Sequence, residues 1–171
     1  MFRMIGAILI ISSTAAWGLS GVFRLRDHVR TLSALQQSLE LMQSEICENL
    51  TPLPELFEIL AESAPSPASV FYKNLTVRIR DIGEKPFPQI WSDTVMETSQ
   101  LVLDAQETLT LSKLGYSIGK YDKDSQKAAM THTYNSFGRF REKAEMEMQR
   151  DSKVKAFTGI AAGLFTVIIL A

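Results

Sequence analysis

Apolar residues without a charge among them gather at the two ends of the chain, and the stretch between them alternates apolar and polar positions at helical spacing. The first end run, Met4 to Phe23, is MIGAILIISSTAAWGLSGVF, 20 residues with no charge. At about 1.5 Å of rise per residue it matches a hydrocarbon core of roughly 30 Å, so residues 4–23 read as a transmembrane helix. The second run, AFTGIAAGLFTVIILA from Ala156 to Ala171, has 16 residues. That is about 24 Å of helix, and it reaches a span only with Val154 and the snorkelling stem of Lys155 included. Residues 154–171 therefore read as a second, short transmembrane helix, and residues 27–153 as a helical domain between the two.

Within that middle, Leu32, Leu35, Leu39, Met42, Ile46 and Leu50 recur at steps of three and four, one apolar stripe on a first helix. Thr51 as cap and Pro52 at the first helical position predict a second helix that turns Leu53, Leu56, Phe57 and Leu60 inward. Ala64-Pro65-Ser66-Pro67 breaks it, and with Ser66 as cap a third helix carries Val70, Phe71, Leu75, Ile79 and Ile82 up to Gly83. Glu84 to Pro88 reads as a loop, and Ile90, Trp91 and Val95 as a shorter fourth helix. Asp104-Ala105-Gln106-Glu107 has the form of a capping box, which starts a fifth helix with Leu109, Leu111, Leu114 and Ile118, ending at Gly119. A sixth begins near Ser125 with Ala129, Met130, Tyr134, Phe137, Ala144 and Met148 near one face. No helix breaker separates it from the terminal apolar run, so the two read as one rod. The fold class is all-α: a six-helix cytosolic bundle flanked by an N-terminal and a C-terminal transmembrane helix.

Charge sets the expected topology. Arg24, Arg26 and Arg30 follow the first run and Arg150, Lys153 and Lys155 precede the second, so both basic collars face the middle. Positive residues beside membrane segments stay on the cytoplasmic side, which places the middle in the cytoplasm and both termini outside. Arg3 and the α-amino group oppose this weakly. A cleaved secretory signal is the competing reading of residues 3–16, but Arg24 and Arg26 just past the cleavage point fit an uncleaved anchor better.

Residues 27–153 carry 14 Lys and Arg against all 19 Asp and Glu of the chain, a formal −5. Nucleic acid is excluded as a partner on that balance. The single Cys47 reads as a packed thiol in a reducing compartment, and His28 and His132 have no thiol or carboxylate at ligand spacing, so neither a metal nor another cofactor is expected. An enzyme would need a nucleophile with a base, or a phosphate-cradling glycine loop, and neither motif is present. Glu40, Glu45, Glu48, Glu55, Glu58 and Glu62 read as solvated helix faces. A helical membrane-anchored signalling or stress-sensing scaffold is the other class to weigh, although prolines at 52, 54, 65 and 67 interrupt the long heptads such a coiled coil needs.

One motif is more specific. In LSKLGYSIGKYDKDSQ, residues 111–126, Leu111, Leu114, Gly115, Ile118, Gly119, Asp122 and Gln126 describe a helix hairpin: Gly115 and Gly119 on one helix face let a neighbouring helix approach, Asp122 caps the next helix, and Gln126 lies one turn further. The pattern L-x-x-L-G-x-x-(I/L)-G-x-x-D-x-x-x-Q resembles the stage III sporulation protein AB family. The N-terminal anchor, the Thr51-Pro52-Leu53-Pro54 step, Phe71, Trp91 and the apolar tail fall in the family's order. The resemblance implies a membrane component of the machinery joining mother cell and forespore, in the mother-cell membrane around the forespore, with the middle domain in the mother-cell cytoplasm. It also implies similarity to the cytoplasmic domains of type II secretion and type IV pilus platform proteins. The implied partners are other sporulation channel proteins, including a cytosolic secretion-type ATPase, with self-association left open. In the end runs, Ser12, Ala16 and Ser20, and the G-x-x-x-G step Gly159 to Gly163, offer small faces on which membrane helices could pack.

Overall fold

All six prolines of the chain fall in three Pro-x-Pro steps, and each step opens a helix. Pro52 stands at the cap of one helix with Pro54 in its first turn, Pro67 at the cap of the next, and Pro86 and Pro88 repeat the first arrangement. None of the three has a side-chain cap. Proline suits these positions because the first turn of a helix leaves N–H groups without partners, and proline brings none. Thr51 is accordingly not the expected cap; its hydroxyl donates to Glu45 Oε2 at 2.6 Å. Nor is Ser66, whose carbonyl accepts from Arg30 Nε at 3.2 Å.

The structure is a computed structural model, and it describes the backbone of residues 2–79, 83, 85–118 and 122–170 and the side chains of residues 23–79, 83, 85–118, 122 and 124–150. Six α-helices are present, with no strand among the described residues: α1 (Phe2–Ser44), α2 (Leu53–Ser63), α3 (Ala68–Arg78), α4 (Phe87–Glu97), α5 (Ala105–Leu114) and α6 (Lys123–Leu170). α1 and α6 run without interruption into the end segments. Among the described residues no helix is long and apolar enough to cross a membrane. The side chains of residues 4–22 and 154–171, and so the packing of Ser12, Ala16, Ser20, Gly159 and Gly163, lie outside the described residues. The chain divides into two compact units, one formed by Met1–Asp27 with Lys143–Ala171, the other by His28–Glu142.

In the second unit, α1 is buried on more than the single stripe its leucines predict. Leu32, Leu35, Leu39 and Met42 are buried, but so are Thr31, Ala34, Gln36 and Ser38. A helix enclosed on several sides must satisfy most of its polar groups internally, and among the described residues of α1 the buried Gln36 Oε1 is left without a partner. Ser38 Oγ donates to the Leu35 carbonyl at 2.8 Å and lies 3.0 Å from the Tyr72 hydroxyl of α3, while Thr31 Oγ1 accepts from Val102 N at 3.3 Å. The stripe ends early. A π-helical turn, Glu45–Asn49, follows α1 and closes with Leu50 in the left-handed region at φ 58°. The wider turn takes the apolar positions out of register, so Ile46 is only half-buried and Leu50 is 57% exposed.

α2, α3 and α4 meet in an aromatic corner. Phe57, Phe71, Tyr72 and Trp91 are fully buried, each phenylalanine worth roughly 1.5–3 kcal/mol in apolar burial. Phe71 meets Trp91 edge-on with centroids 5.0 Å apart and Tyr72 at 4.9 Å; Phe57 stacks on Phe87 at 5.9 Å. α3 is shorter than the spacing suggests: it stops at Arg78, Ile79 is half-buried, Ile82 lies outside the described residues, and Gly83 has φ +124°. On α6, Met130, Phe137 and Ala144 are buried, together with Gln126, Thr133 and Ser136; Ala129, Tyr134 and Met148 are half-buried.

Candidate functional site

The hairpin between α5 and α6 is built around the last turn of α5. The helix ends at Leu114, five residues before the expected end, so Gly115 is its C-terminal cap (φ −57°, ψ −27°) and not an interior position. Gly119 lies outside the described residues. A helix end leaves four carbonyls without intrahelical partners, and here all four are satisfied. Gly115 N donates to the Ser112 carbonyl, Tyr116 N to Lys113, and Ser117 N and Ile118 N both to Leu114, tightening the chain into a narrow turn. The fourth, Leu111 O, accepts from the indole Nε1 of Trp91 at 2.8 Å.

That hydrogen bond brings α4 so close that Gly115 has no room for a side chain. A Cβ there would stand 2.6 Å from both Cγ and Cδ1 of Trp91 and 2.9 Å from its Cβ. The motif glycine is therefore a seat for a tryptophan 24 positions upstream. Leu111, Leu114 and Ile118 are buried beside it, whereas Leu109, expected inside, is 53% exposed. Leu109 on α5 and Tyr116 in the turn after it are both exposed, with Lys113 between them exposed as well.

On the far side of the hairpin Asp122 caps α6. Its Oδ1 accepts from Asp124 N at 3.2 Å, its Oδ2 accepts from the Ser125 hydroxyl, and its carbonyl accepts from Gln126 N at 3.1 Å. The Ser125 hydroxyl holds the Asp122 carboxyl below its ordinary value, with the Asp124 and Ser125 backbone adding to the effect. Gln126 is buried.

At the start of α5 the capping box forms in full: Asp104 Oδ1 accepts from Glu107 N at 2.8 Å and Glu107 Oε2 accepts from Asp104 N at 2.8 Å. The fold adds a partner. His28 of α1 has its Nε2 2.8 Å from Oε2 and 3.0 Å from Oε1 of Glu107, a carboxylate 79 positions away and almost completely buried. An ionised carboxylate only accepts, so with Glu107 in that form the contact is made by the His28 tautomer that carries its proton on Nε2. Residue spacing leaves His28 without a carboxylate; the tertiary fold supplies one, and no local signal in the sequence could have paired them. Glu107 already serves the cap, so the pair acts as a clasp between α1 and α5. Among the described residues, no group of three or more His, Cys, Asp or Glu could hold a metal ion. Glu40, Glu48, Glu55, Glu58 and Glu62 are exposed, while Glu45 is half-buried and held below its ordinary value chiefly by the Thr51 hydroxyl. Cys47 is half-buried.

Six α-helices, a helix buried on several sides and a hairpin pinned on a tryptophan define an all-α helical-bundle protein. The family model described as "Stage III sporulation protein AB (spore_III_AB)" matches residues 3–171, and the chain belongs to that family. Stage III sporulation protein AB of Bacillus subtilis (strain 168) is 24% identical over 175 residues, spanning 99% of both chains. A solved structure of Stage III sporulation protein AB matches with a TM-score of 0.65 at 20% identity, covering 72% of this chain and 97% of that one, a likeness of fold. The family's description places it in sporulation and names no enzyme class.

Proposed function

We propose that the chain is a non-enzymatic platform in a secretion-like channel between mother cell and forespore. Its end runs anchor it in the mother-cell membrane around the forespore, and its helical middle docks a cytosolic secretion-type ATPase. The single observation that carries this reading is the layout: an acidic helical bundle bracketed by two charge-free runs, in a member of a sporulation family. The basic collars facing the middle support a cytoplasmic bundle with both termini outside. Such a role asks for a rigid domain with an accessible surface and no reacting group, which accords with a bundle whose His–carboxylate pair is occupied in a cap. The docking step is tested by co-purifying the full chain with the cognate ATPase from detergent-solubilised membranes. Co-elution at fixed stoichiometry supports the reading; separate elution, with the chain still helical by circular dichroism, removes it. Cysteine labelling of Lys73→Cys in intact protoplasts tests topology, and modification from outside would reverse it.

A further inference from the structure

The two compact units differ in the sign of their charge. Met1–Asp27 with Lys143–Ala171 holds 7 Lys and Arg against 4 Asp and Glu, a net +3, whereas His28–Glu142 holds 11 against 15, a net −4. The positive excess of the first unit is concentrated where its two helical segments leave the apolar runs. Arg24 and Arg26 stand there on α1, and Arg150, Lys153 and Lys155 on α6, against only Asp27 and Asp151. Arg24, Arg26 and Arg150 are all exposed. Segments distant in sequence thus contribute basic residues to one unit, next to the runs read as membrane spans.

We propose that this collar is a binding site for the phosphate headgroup of anionic phospholipid, an inference that rests on the membrane-anchored reading. Topology alone requires only that positive charge stay on the cytoplasmic side. A headgroup site goes further: guanidinium groups on two helices can hold one phosphate through paired N–H donors, and basic residues just cytoplasmic of a span attract anionic lipid at about 1 kcal/mol each. The acidic bundle has the wrong sign for that surface, so the collar is where the chain meets anionic headgroups.

The test uses the full chain reconstituted in vesicles containing spin-labelled phosphatidylglycerol or spin-labelled phosphatidylcholine at 0.1 M salt. The motionally restricted fraction should show a preference for phosphatidylglycerol of about fivefold or more, the equivalent of one basic residue's contribution. The variant R24Q/R26Q/R150Q/K153Q/K155Q should bring that ratio close to one, and R24K/R26K/R150K, which keeps the charge but loses the paired donors, should fall between that variant and the parent, full retention overturning the guanidinium site. If the neutralised variant does not reconstitute, raising salt to 1 M over the parent takes its place, because screening should reduce the preference and a salt-independent ratio would overturn the site. Equal restriction of both lipids by a parent that floats with the vesicles overturns the headgroup site while leaving the anchor intact. A parent that fails to float overturns both.

Discussion

The aromatic corner of α2, α3 and α4 and the buried stretch of α1 both lie within residues 28–142, yet they are held by different physics. In the corner, Phe57, Phe71, Tyr72 and Trp91 chiefly fill space, although the Trp91 indole also donates to the Leu111 carbonyl, and the closest approach is set by the absence of a side chain at Gly115. Along α1, Thr31, Ser38 and His28 each reach a specific partner on another element, on Val102, Tyr72 and Glu107 respectively. Packing of the first kind fails when volume changes, since a dense interior cannot yield cheaply. Directed contacts of the second kind fail when a donor or acceptor is lost while its partner stays buried. The two regions should therefore respond to opposite classes of substitution.

The largest effect is expected from Trp91→Ala, about 4 kcal/mol of lost stability in a chemical denaturation of the full chain in detergent, because the cavity comes with an unpartnered Leu111 carbonyl. A loss under about 2 kcal/mol would mean the corner collapses around the gap. Gly115→Ala isolates shape from backbone. At φ −57° alanine is conformationally welcome and would by itself add about 0.5–1 kcal/mol, so an expected net loss of about 2 kcal/mol corresponds to a collision with Trp91 costing about 2.5–3 kcal/mol. A melting temperature at or above that of the parent would show that the indole moves aside.

Substitutions on the polar side are expected to be milder and coupled. Glu107→Gln keeps the volume but weakens the clasp, at about 1.5 kcal/mol, and a cycle with His28→Ala should return a coupling energy of about 1 kcal/mol. Additive losses would show that histidine and carboxylate do not stabilise one another. Ser38→Ala, removing one neutral hydrogen bond from the buried Tyr72 hydroxyl, should cost about 1 kcal/mol, read from the thermal midpoint. Smallest is the pH response of the α6 cap. The Asp122 carboxyl is depressed in the folded chain, so its contribution is present above its ordinary pKa of 3.8 and disappears as pH falls through the lower, folded value. Comparing Asp122→Asn with the parent from pH 5 to pH 2, the stability difference should shrink toward zero at the acid end, and a difference that grows would reverse the sign.

Much of the bundle could be read from local rules. The capping box at Asp104 and Glu107 forms as its spacing requires, Asp122 caps α6, and the inward faces of α2 and α4 follow their apolar periodicity. Where local reading failed, a competing local force or a distant neighbour prevailed. Thr51 and Ser66 lost the caps to the prolines beside them, and the π turn carried Leu50 out of the stripe. Leu109 has helical spacing but no neighbour to cover it, so period alone could not place it inside. The hairpin motif marked Gly115 as a close-approach position but could not say what approaches; only the folded chain brings Trp91 there.

By itself the amino-acid order determined the helical class, the number of helices in the middle, the sign of the charge on each stretch and the resemblance that places the chain in a sporulation family. The first three depend on residues a few positions apart or on simple counting, and the resemblance on the order of short motifs along nearly the whole chain. The tertiary structure alone decided which carboxylate His28 meets, which aromatic ring sits on Gly115 and how completely α1 is enclosed. Those contacts join positions 24 to 79 residues apart, and at such separations no spacing rule specifies a pair: the choice is made by the combined packing of all six helices.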